Sequence, residues 1–405
     1  MKVLDISFDI GVTAREKIYS ILMGIFWCSN LAFYLVPVFT RLGAENGHNA
    51  VPVFLLLMSV LCVGIWKKQF RFSDILLYLS FVAIFYGSVL FYPDTAKFID
   101  EANDRIMIQS LPYLFFGLIF CYYKCFNALH LISLIAIGCN VLFFYLMTGM
   151  STYKGELEDE NMNAAYMLIP AMMVVTYHML DEKKMIDIVA LAVGVLLLMF
   201  MGTRGPLVIY VFFVALYIVF FTKTKHPKLV KTVAALFATV FYWFSDAIAM
   251  ALMVVSSSLG MSTRVFESML EDNMIGMNAS NGRDEIAADL MNHLIEANPW
   301  GGFGLGSDKV YNGFFYSHNV IVEILFSFGF LVGGVMLVAL GVLIYKAFMR
   351  CTSREERLFL LALFCSGFLK VCFSSRFVWE PHFYMLIGVC ISIVRKYKDS
   401  NGIIK

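Results

Sequence analysis

Two arginines and one histidine have residue types and surroundings suited to phosphate binding and to proton transfer. Arg204 lies in the short turn MGTRGP, directly before an apolar run. Arg283 opens the polar segment GRDEIAADL, and His318 stands at the start of another apolar run, SHNVIVEIL. A guanidinium beside the free N–H groups of a helix N-terminus binds phosphate well. Arg204 has an alternative structural interpretation, in which its side chain reaches lipid headgroups.

The helix start that carries His318 holds further polar residues. Ser317 is predicted to be its N-cap, Asn319 follows, and Glu323 lies about one turn deeper. The positive end of the helix dipole disfavours imidazolium, so His318 is predicted to be neutral and able to accept a proton. An acid inside a membrane helix is costly unless it has a role. Glu323 either orients His318 or Asn319, or pairs with an arginine.

Weaker candidates lie in the same polar segment and in one later connection. The glycine-rich stretch NPWGGFGLG, which includes Gly302 and Gly304, either lets the backbone approach a ligand closely or forms an ordinary loop. Arg264 would bind an anion or a headgroup. Arg376, in SSRFVWEP, has an alternative partner in Glu380, four residues later.

Composition and hydropathy define the class of protein. Of the 405 residues, 60% are hydrophobic and 15% are charged, against about 25% charged in a soluble domain. The mean hydropathy is +0.76. The cysteines show no metal-ligand spacing and no disulfide framework, so neither a metal nor another cofactor is predicted. These features predict an all-α polytopic membrane protein that forms a single integral membrane domain over residues 1–405.

Twelve apolar runs are predicted to be transmembrane helices. They span approximately 18–38, 50–66, 73–92, 107–123, 127–147, 163–180, 185–201, 206–221, 230–255, 317–345, 357–374 and 381–394. Most of the 31 lysines and arginines fall on alternate connections, and the positive-inside rule makes those connections cytoplasmic. Both termini are then cytoplasmic, and residues 256–316 form a large extracytoplasmic loop late in the chain.

This large loop is predicted to contain an amphipathic helix. Apolar residues such as Ile286 and Leu290 recur at spacings of three and four from about Arg283 to the break at Asn298 and Pro299. A helix of this kind lies either on the membrane surface or over the helical bundle.

The order and spacing of these motifs carry a resemblance to a known family. GTRGP before a helix, then GRDEI, then NPWGGFGLG, then SHNVIVEILFSFGFLVGG lie between Met201 and Gly334. This ordered set resembles the O-antigen polymerase and ligase superfamily of integral membrane glycosyltransferases. The resemblance covers about a third of the chain, and the twelve predicted spans with a large late outer loop extend it.

The resemblance implies a reaction at the outer face of the bacterial inner membrane. A sugar chain on undecaprenyl diphosphate is transferred to an acceptor with inversion at the anomeric carbon, without a nucleotide sugar and without a metal. Arg204 and Arg283 would hold the diphosphate, and His318 would be the base or would orient the acceptor. The other candidates are assigned to substrate binding (Asn319, Arg264 and Arg376) and to support of the site (Glu323, Gly302 and Gly304).

Several functions remain open at the level of sequence. The leading hypothesis is polymerisation of lipid-linked O-antigen repeat units, and the runner-up is ligation of the chain to lipid A-core. A transporter or flippase for a lipid-linked sugar is a further alternative, although the paired broken helices typical of transporters are not evident. A scaffolding membrane protein would not need this set of polar residues. The predicted partners are lipid-linked donor and acceptor, and membrane lipid, with no nucleic acid; whether a chain-length regulator binds stays open.

One geometric expectation follows from the polymerase hypothesis. Arg204, Arg283 and His318 should converge on one outward-facing cavity beneath the amphipathic helix, because a single diphosphate leaving group has to meet all three side chains.

Overall fold

A computed structural model describes most of the chain after residue 70. The described residues are 71–119, 126–149, 158–182, 184–201, 204–221, 232, 239, 245–258, 283–313 and 317–400. Within these ranges the protein is all-helical and contains no strand, as the sequence predicts. The first two predicted spans, 18–38 and 50–66, lie outside the described residues.

Several of the helices coincide with predicted apolar runs to within a few residues. In chain order they are α1 (Phe72–Phe91), α2 (Ala96–Asp104), α3 (Pro112–Ile119), α4 (Phe126–Gly149), α5 (Glu158–Glu182), α6 (Met185–Phe200), α7 (Arg204–Phe221), α8 (Ser245–Ser258), α9 (Arg283–Ala297), α10 (Ser307–Tyr311), α11 (Val320–Phe328), α12 (Gly334–Arg350), α13 (Arg354–Leu363), α14 (Lys370–Phe373) and α15 (Pro381–Ser400). Short π-helical segments join α2 to α3, α11 to α12, and α13 to α14.

Three segments within the described residues are long and apolar enough to cross a membrane. They are Phe72–Phe91, Ala164–Asp181 and Val320–Arg350. Shorter apolar helices cover Leu129–Val141, Met185–Phe200 and Gly205–Phe221. These lengths and compositions support the membrane character that the hydropathy predicts.

The chain forms two compact units, which we describe separately. The first takes its described residues from 126–258. Its central helix is α5, which packs against α4, α6 and α7 and buries Leu168, Met172 and Val175. A buried polar contact joins the first two of these neighbours, because His130 Nε2 lies 2.6 Å from Asp187 Oδ1. The prediction of a single membrane domain stays a prediction.

The second unit takes its described residues from 71–119 and 283–400. Its closest helix pair is α3 with α15. A Cβ atom added to Gly117 would lie 2.3 Å from the carbonyl oxygen of Met385, and one added to Gly388 would lie 2.2 Å from that of Leu114. Glycine at both positions therefore allows the two backbones to touch, a packing mode common between membrane helices.

The segment Val320–Arg350 is broken at Gly329, which has a φ of 71°. The break frees the carbonyls of Phe326 and Ser327 from helical bonding, and they accept hydrogen bonds from the N–H groups of Phe303 and Gly304, both at 2.9 Å. Irregular backbone at membrane depth is tolerated only where such groups are satisfied within the protein. Phe303 and Gly304, in the glycine-rich stretch 301–306, therefore complete the hydrogen bonding of a broken helix that is apolar enough to span a membrane.

Candidate functional site

Helix α9 positions one side of the candidate site. It begins at Arg283 and ends at Ala297, as the sequence predicts. Its buried residues Leu290 and Leu294 pack with Val322 and Phe326 of α11. One face of this helix therefore packs against α11, and its placement relative to a membrane surface stays a prediction.

Arg283 is half-buried at the first position of α9. Its Nη1 donates a hydrogen bond to the carbonyl oxygen of Phe373, at the end of α14, over 2.6 Å. Among the described residues it has no carboxylate partner. A guanidinium held by one backbone acceptor, beside a helix N-terminus, has both the charge and the spare donors to bind an anion.

His318 occupies an unusual backbone conformation. Its φ is 49°, in the left-handed region that costs a residue with a Cβ about 1–2 kcal/mol. The adjoining Asn319 is the N-cap of α11, and its side-chain oxygen accepts a hydrogen bond from the N–H of Ile321 at 2.9 Å. The prediction that Ser317 caps this helix is wrong, because the left-handed turn at His318 lies between Ser317 and the helix.

The surroundings of His318 keep its imidazole neutral. Partial burial lowers its pKa, and the positive charges of Arg283 and Arg376 lower it further, to about 4. A neutral imidazole agrees with the sequence prediction, although its causes are burial and two guanidinium groups.

Arg376 lies at the centre of a buried charged cluster. Its side chain is fully buried, with Nε donating to Glu323 Oε1 at 2.8 Å and Nη2 forming an ion pair with Asp308. Burial alone lowers the pKa of Arg376, but the two carboxylates offset this effect and raise it, so the guanidinium stays charged. The ring centroids of Phe98 and Trp379 lie 4.5 Å and 5.3 Å from its Cζ atom.

This placement corrects the sequence-based assignment of Arg376 to diphosphate binding. A guanidinium that is inaccessible and neutralised by two acids does not contact a ligand in this conformation. Its predicted alternative partner, Glu380, binds Lys370 instead, with 2.6 Å between Lys370 Nζ and Oε2. Of the alternatives left open for Glu323, the structure has the pairing with an arginine.

Gly302 and Gly304 support the site by close packing. Both are buried and have positive φ values, 70° and 88°. An added Cβ would lie 2.5 Å from the nitrogen of Gly329 in the first case and 2.6 Å from the ring of Tyr92 in the second. The close approach that these glycines permit is therefore to the protein's own backbone and side chains.

Asp308 belongs to the site and was missed by the sequence analysis. It is fully buried, and its Oδ2 accepts a hydrogen bond from the N–H of Ser317 at 3.1 Å. An aspartate after four glycines in a polar loop is typical of a solvated turn, so no local signal marks it as buried.

Two predicted site residues are not placed by the structure. Arg204 is the first residue of α7, in the first unit, and its side chain lies outside the described part of the protein. Arg264 falls between residues 258 and 283, also outside the described residues. The expected convergence of Arg204 with Arg283 and His318 therefore stays a prediction.

The described residues contain no group of three or more His, Cys, Asp and Glu side chains arranged to hold a metal ion. The groups available for chemistry at this site are the guanidinium of Arg283, the neutral imidazole of His318 and the N-terminus of α9. Comparison of the chain with protein families, with curated proteins and with solved structures finds no match.

Proposed function

We propose that this protein polymerises O-antigen or a related surface polysaccharide, by transferring sugar chains from undecaprenyl diphosphate. The observation that carries the proposal is a half-buried His318 in a left-handed turn directly before α11, where burial and the charges of Arg283 and Arg376 lower the pKa of its imidazole. The ordered motifs that resemble the polymerase and ligase superfamily supply the substrate class.

In the proposed reaction, a hydroxyl oxygen of the acceptor repeat unit attacks the anomeric carbon of the donor sugar. The bond from that carbon to the diphosphate oxygen breaks, and its electron pair leaves with the diphosphate. The hydroxyl proton passes to the imidazole of His318 and then to water. Arg283 and the N-terminus of α9 stabilise the negative charge that develops on the leaving group, with Arg204 as the second diphosphate ligand.

Donor binding would also improve His318 as a base. In the unbound protein the positive charge of Arg283 contributes to the low pKa of His318. A bound diphosphate offsets that charge and raises the pKa towards the working pH, where a general base is most effective. The imidazole would then gain basicity when the substrate is present.

The proposed topology places this chemistry at the outer face of the bacterial inner membrane. It comprises twelve transmembrane helices, cytoplasmic termini and residues 256–316 as an extracytoplasmic loop. The distribution of lysine and arginine supports it. A tag within 256–316 that is reachable only from the cytoplasm would overturn this orientation.

Complementation of a deletion strain tests the function. The wild type, Arg204→Ala, Arg283→Ala and His318→Ala are expressed, and surface glycolipid is separated on a gel. We expect each variant to leave a single repeat unit on the lipid core. Lys309→Ala is the matched control, because it removes a positive charge from the same loop. The Nζ of Lys309 lies 3.3 Å from Glu101 Oε2.

The other outcomes identify the rival functions. Long chains that stay on undecaprenyl diphosphate, with none on the core, indicate a ligase. Precursor held on the cytoplasmic side indicates a flippase. Normal ladders from all three variants would overturn the site assignment.

A further inference from the structure

Asp308 joins the backbone beside His318 to the buried charged cluster. It lies in α10, five residues long, and none of its surface is exposed. Each of its carboxylate oxygens has a separate partner. Oδ1 pairs with Nη2 of Arg376, and Oδ2 accepts the N–H of Ser317.

The second contact acts directly on the strained turn. Ser317 is the residue before His318, so Asp308 fixes the backbone on the N-terminal side of the left-handed conformation. On the other side, the carbonyl oxygen of Asn319 accepts the N–H of Glu323 at 2.8 Å. A residue with a Cβ persists in this backbone region only when its surroundings hold it there. His318 is therefore held between two anchored neighbours.

Arg376, the partner of Asp308 in this cluster, is itself held by several contacts. Glu323 binds its Nε, and the Phe98 ring lies 4.5 Å from its Cζ. Glu323 also accepts the N–H of Phe377 through Oε2 at 3.2 Å. Because Asp308 binds Arg376 through one carboxylate oxygen and the Ser317 N–H through the other, the position of Ser317 is linked to this buried cluster.

We propose that Asp308 is a positioning residue, which holds the Ser317–Asn319 turn so that the His318 imidazole faces the reacting groups. The inference rests on the proposed function, since it gives Asp308 a role through the candidate base. It separates Asp308 from Glu323, the other acid bound to Arg376, because the carboxylate of Glu323 binds Arg376 and the Phe377 N–H and not the backbone of Ser317.

The pair Asp308→Asn and Glu323→Gln tests this distinction in the full-length protein in detergent. Each substitution removes one carboxylate charge from Arg376 and keeps the side-chain shape. In each variant the new amide NH₂ faces one of two donors, so one contact is lost: Arg376 or the Ser317 N–H in Asp308→Asn, and Arg376 or the Phe377 N–H in Glu323→Gln. Only Asp308→Asn changes the contact to Ser317, the residue before His318.

Hydrogen exchange at Ser317 is the first measurement, and it does not depend on activity. In the wild type we expect this amide to be protected. In Asp308→Asn it should exchange about tenfold or more faster, while Glu323→Gln leaves it within about twofold of the wild type. An unprotected Ser317 amide in the wild type, or equal acceleration in both variants, would overturn the inference. An unprotected Ser317 amide in the wild type would overturn the inference even when a variant does not fold.

A double-mutant cycle in polymerase activity is the second measurement. The residual rate of His318→Gln is measured with purified protein at high concentration and long incubation, below the detection limit of the complementation gel. If Asp308 acts through His318, Asp308→Asn reduces kcat about tenfold in the wild type, but reduces that residual rate by less than about twofold. Equal losses in both backgrounds would show a purely structural role and overturn the proposal. The hydrogen exchange at Ser317 could change as expected while the wild-type protein shows no polymerase activity. That combination would refute the proposed function but support the anchoring of the turn at His318.

Discussion

Arg283 and Arg376 are arginines of the same unit that the sequence places on the same face of the membrane, yet their environments are opposite. Arg283 is half-buried and bound to one backbone carbonyl. Arg376 is fully buried, paired with two carboxylates and flanked by two aromatic rings. Both carry a positive charge, but only Arg283 retains donors that no described carboxylate binds.

The difference separates a cation that builds the fold from one that is available to a ligand. The charge of Arg376 is already balanced within the protein, so an incoming anion would have to displace a carboxylate. The charge of Arg283 lacks such compensation among the described residues, and its effect reaches His318. The comparison leads to different consequences for stability and activity at the two positions.

The largest expected effect is the loss of stability in Arg376→Met. Removing the guanidinium leaves Glu323 and Asp308 buried without their cation, which typically costs about 3–5 kcal/mol. We expect a large fall in the denaturation midpoint and in the yield of folded protein. Lys309→Ala, at a partly exposed surface pair, should change the free energy of unfolding by less than about 0.5 kcal/mol. An unchanged midpoint in Arg376→Met would contradict the structural role.

Arg283→Ala should have the reverse profile, with a large loss of activity and little loss of stability. We expect polymerisation to fall by about 100-fold, the scale of losing one transition-state donor. The free energy of unfolding should change by less than about 1 kcal/mol, because a single hydrogen bond of a half-exposed side chain is lost. Activity per folded molecule, with unfolding followed in parallel, separates the two effects. Equal fractional losses of activity and of folded protein would remove the distinction between the arginines.

Sequence patterns were sufficient for the elements and for part of the site. Apolar runs predicted helices such as α1 and α6 within a few residues, because hydrocarbon thickness fixes the length of a spanning helix. The start of α9 at Arg283 followed from the periodicity of its apolar residues. These features depend on neighbours in sequence, so one chain carries enough information to find them.

The partners of Arg376 were beyond such reasoning. Asp308 and Glu323 are 68 and 53 residues away along the chain, and only the tertiary fold brings them together. The nearby Glu380 was the obvious alternative by α-helical spacing, but the residues between the two form a short 3₁₀ helix, Phe377–Trp379, in which residues three apart rather than four are aligned. The left-handed turn at His318 was equally hidden, because neither a glycine nor an asparagine marks that position.

A pH titration of His318 tests whether the positive charge of Arg283 lowers the pKa of the imidazole. A depressed pKa keeps the imidazole neutral above about pH 4 in the wild type. Removal of a positive charge in Arg283→Ala should raise this pKa towards its usual range near 6.5. The rate of modification of residue 318 by diethyl pyrocarbonate, which attacks the neutral ring, gives the midpoint in each protein. A wild-type midpoint near 6.5, or the same midpoint in both proteins, would contradict the proposed electrostatic coupling.

The smallest effect concerns the backbone of His318. Glycine adopts its left-handed φ without strain, whereas a β-branched residue is strongly disfavoured there. His318→Gly should therefore keep or raise the free energy of unfolding by up to about 1 kcal/mol, and His318→Val should lower it by about 1–2 kcal/mol. Denaturation in detergent measures both, and we expect neither variant to polymerise. If glycine and valine were equally stable, the turn would not be held in the left-handed region. A higher free energy of unfolding in His318→Gly would instead show that the native histidine is retained at a cost in stability. Such a cost is expected where the imidazole serves the reaction and Asp308 has to hold the backbone in place.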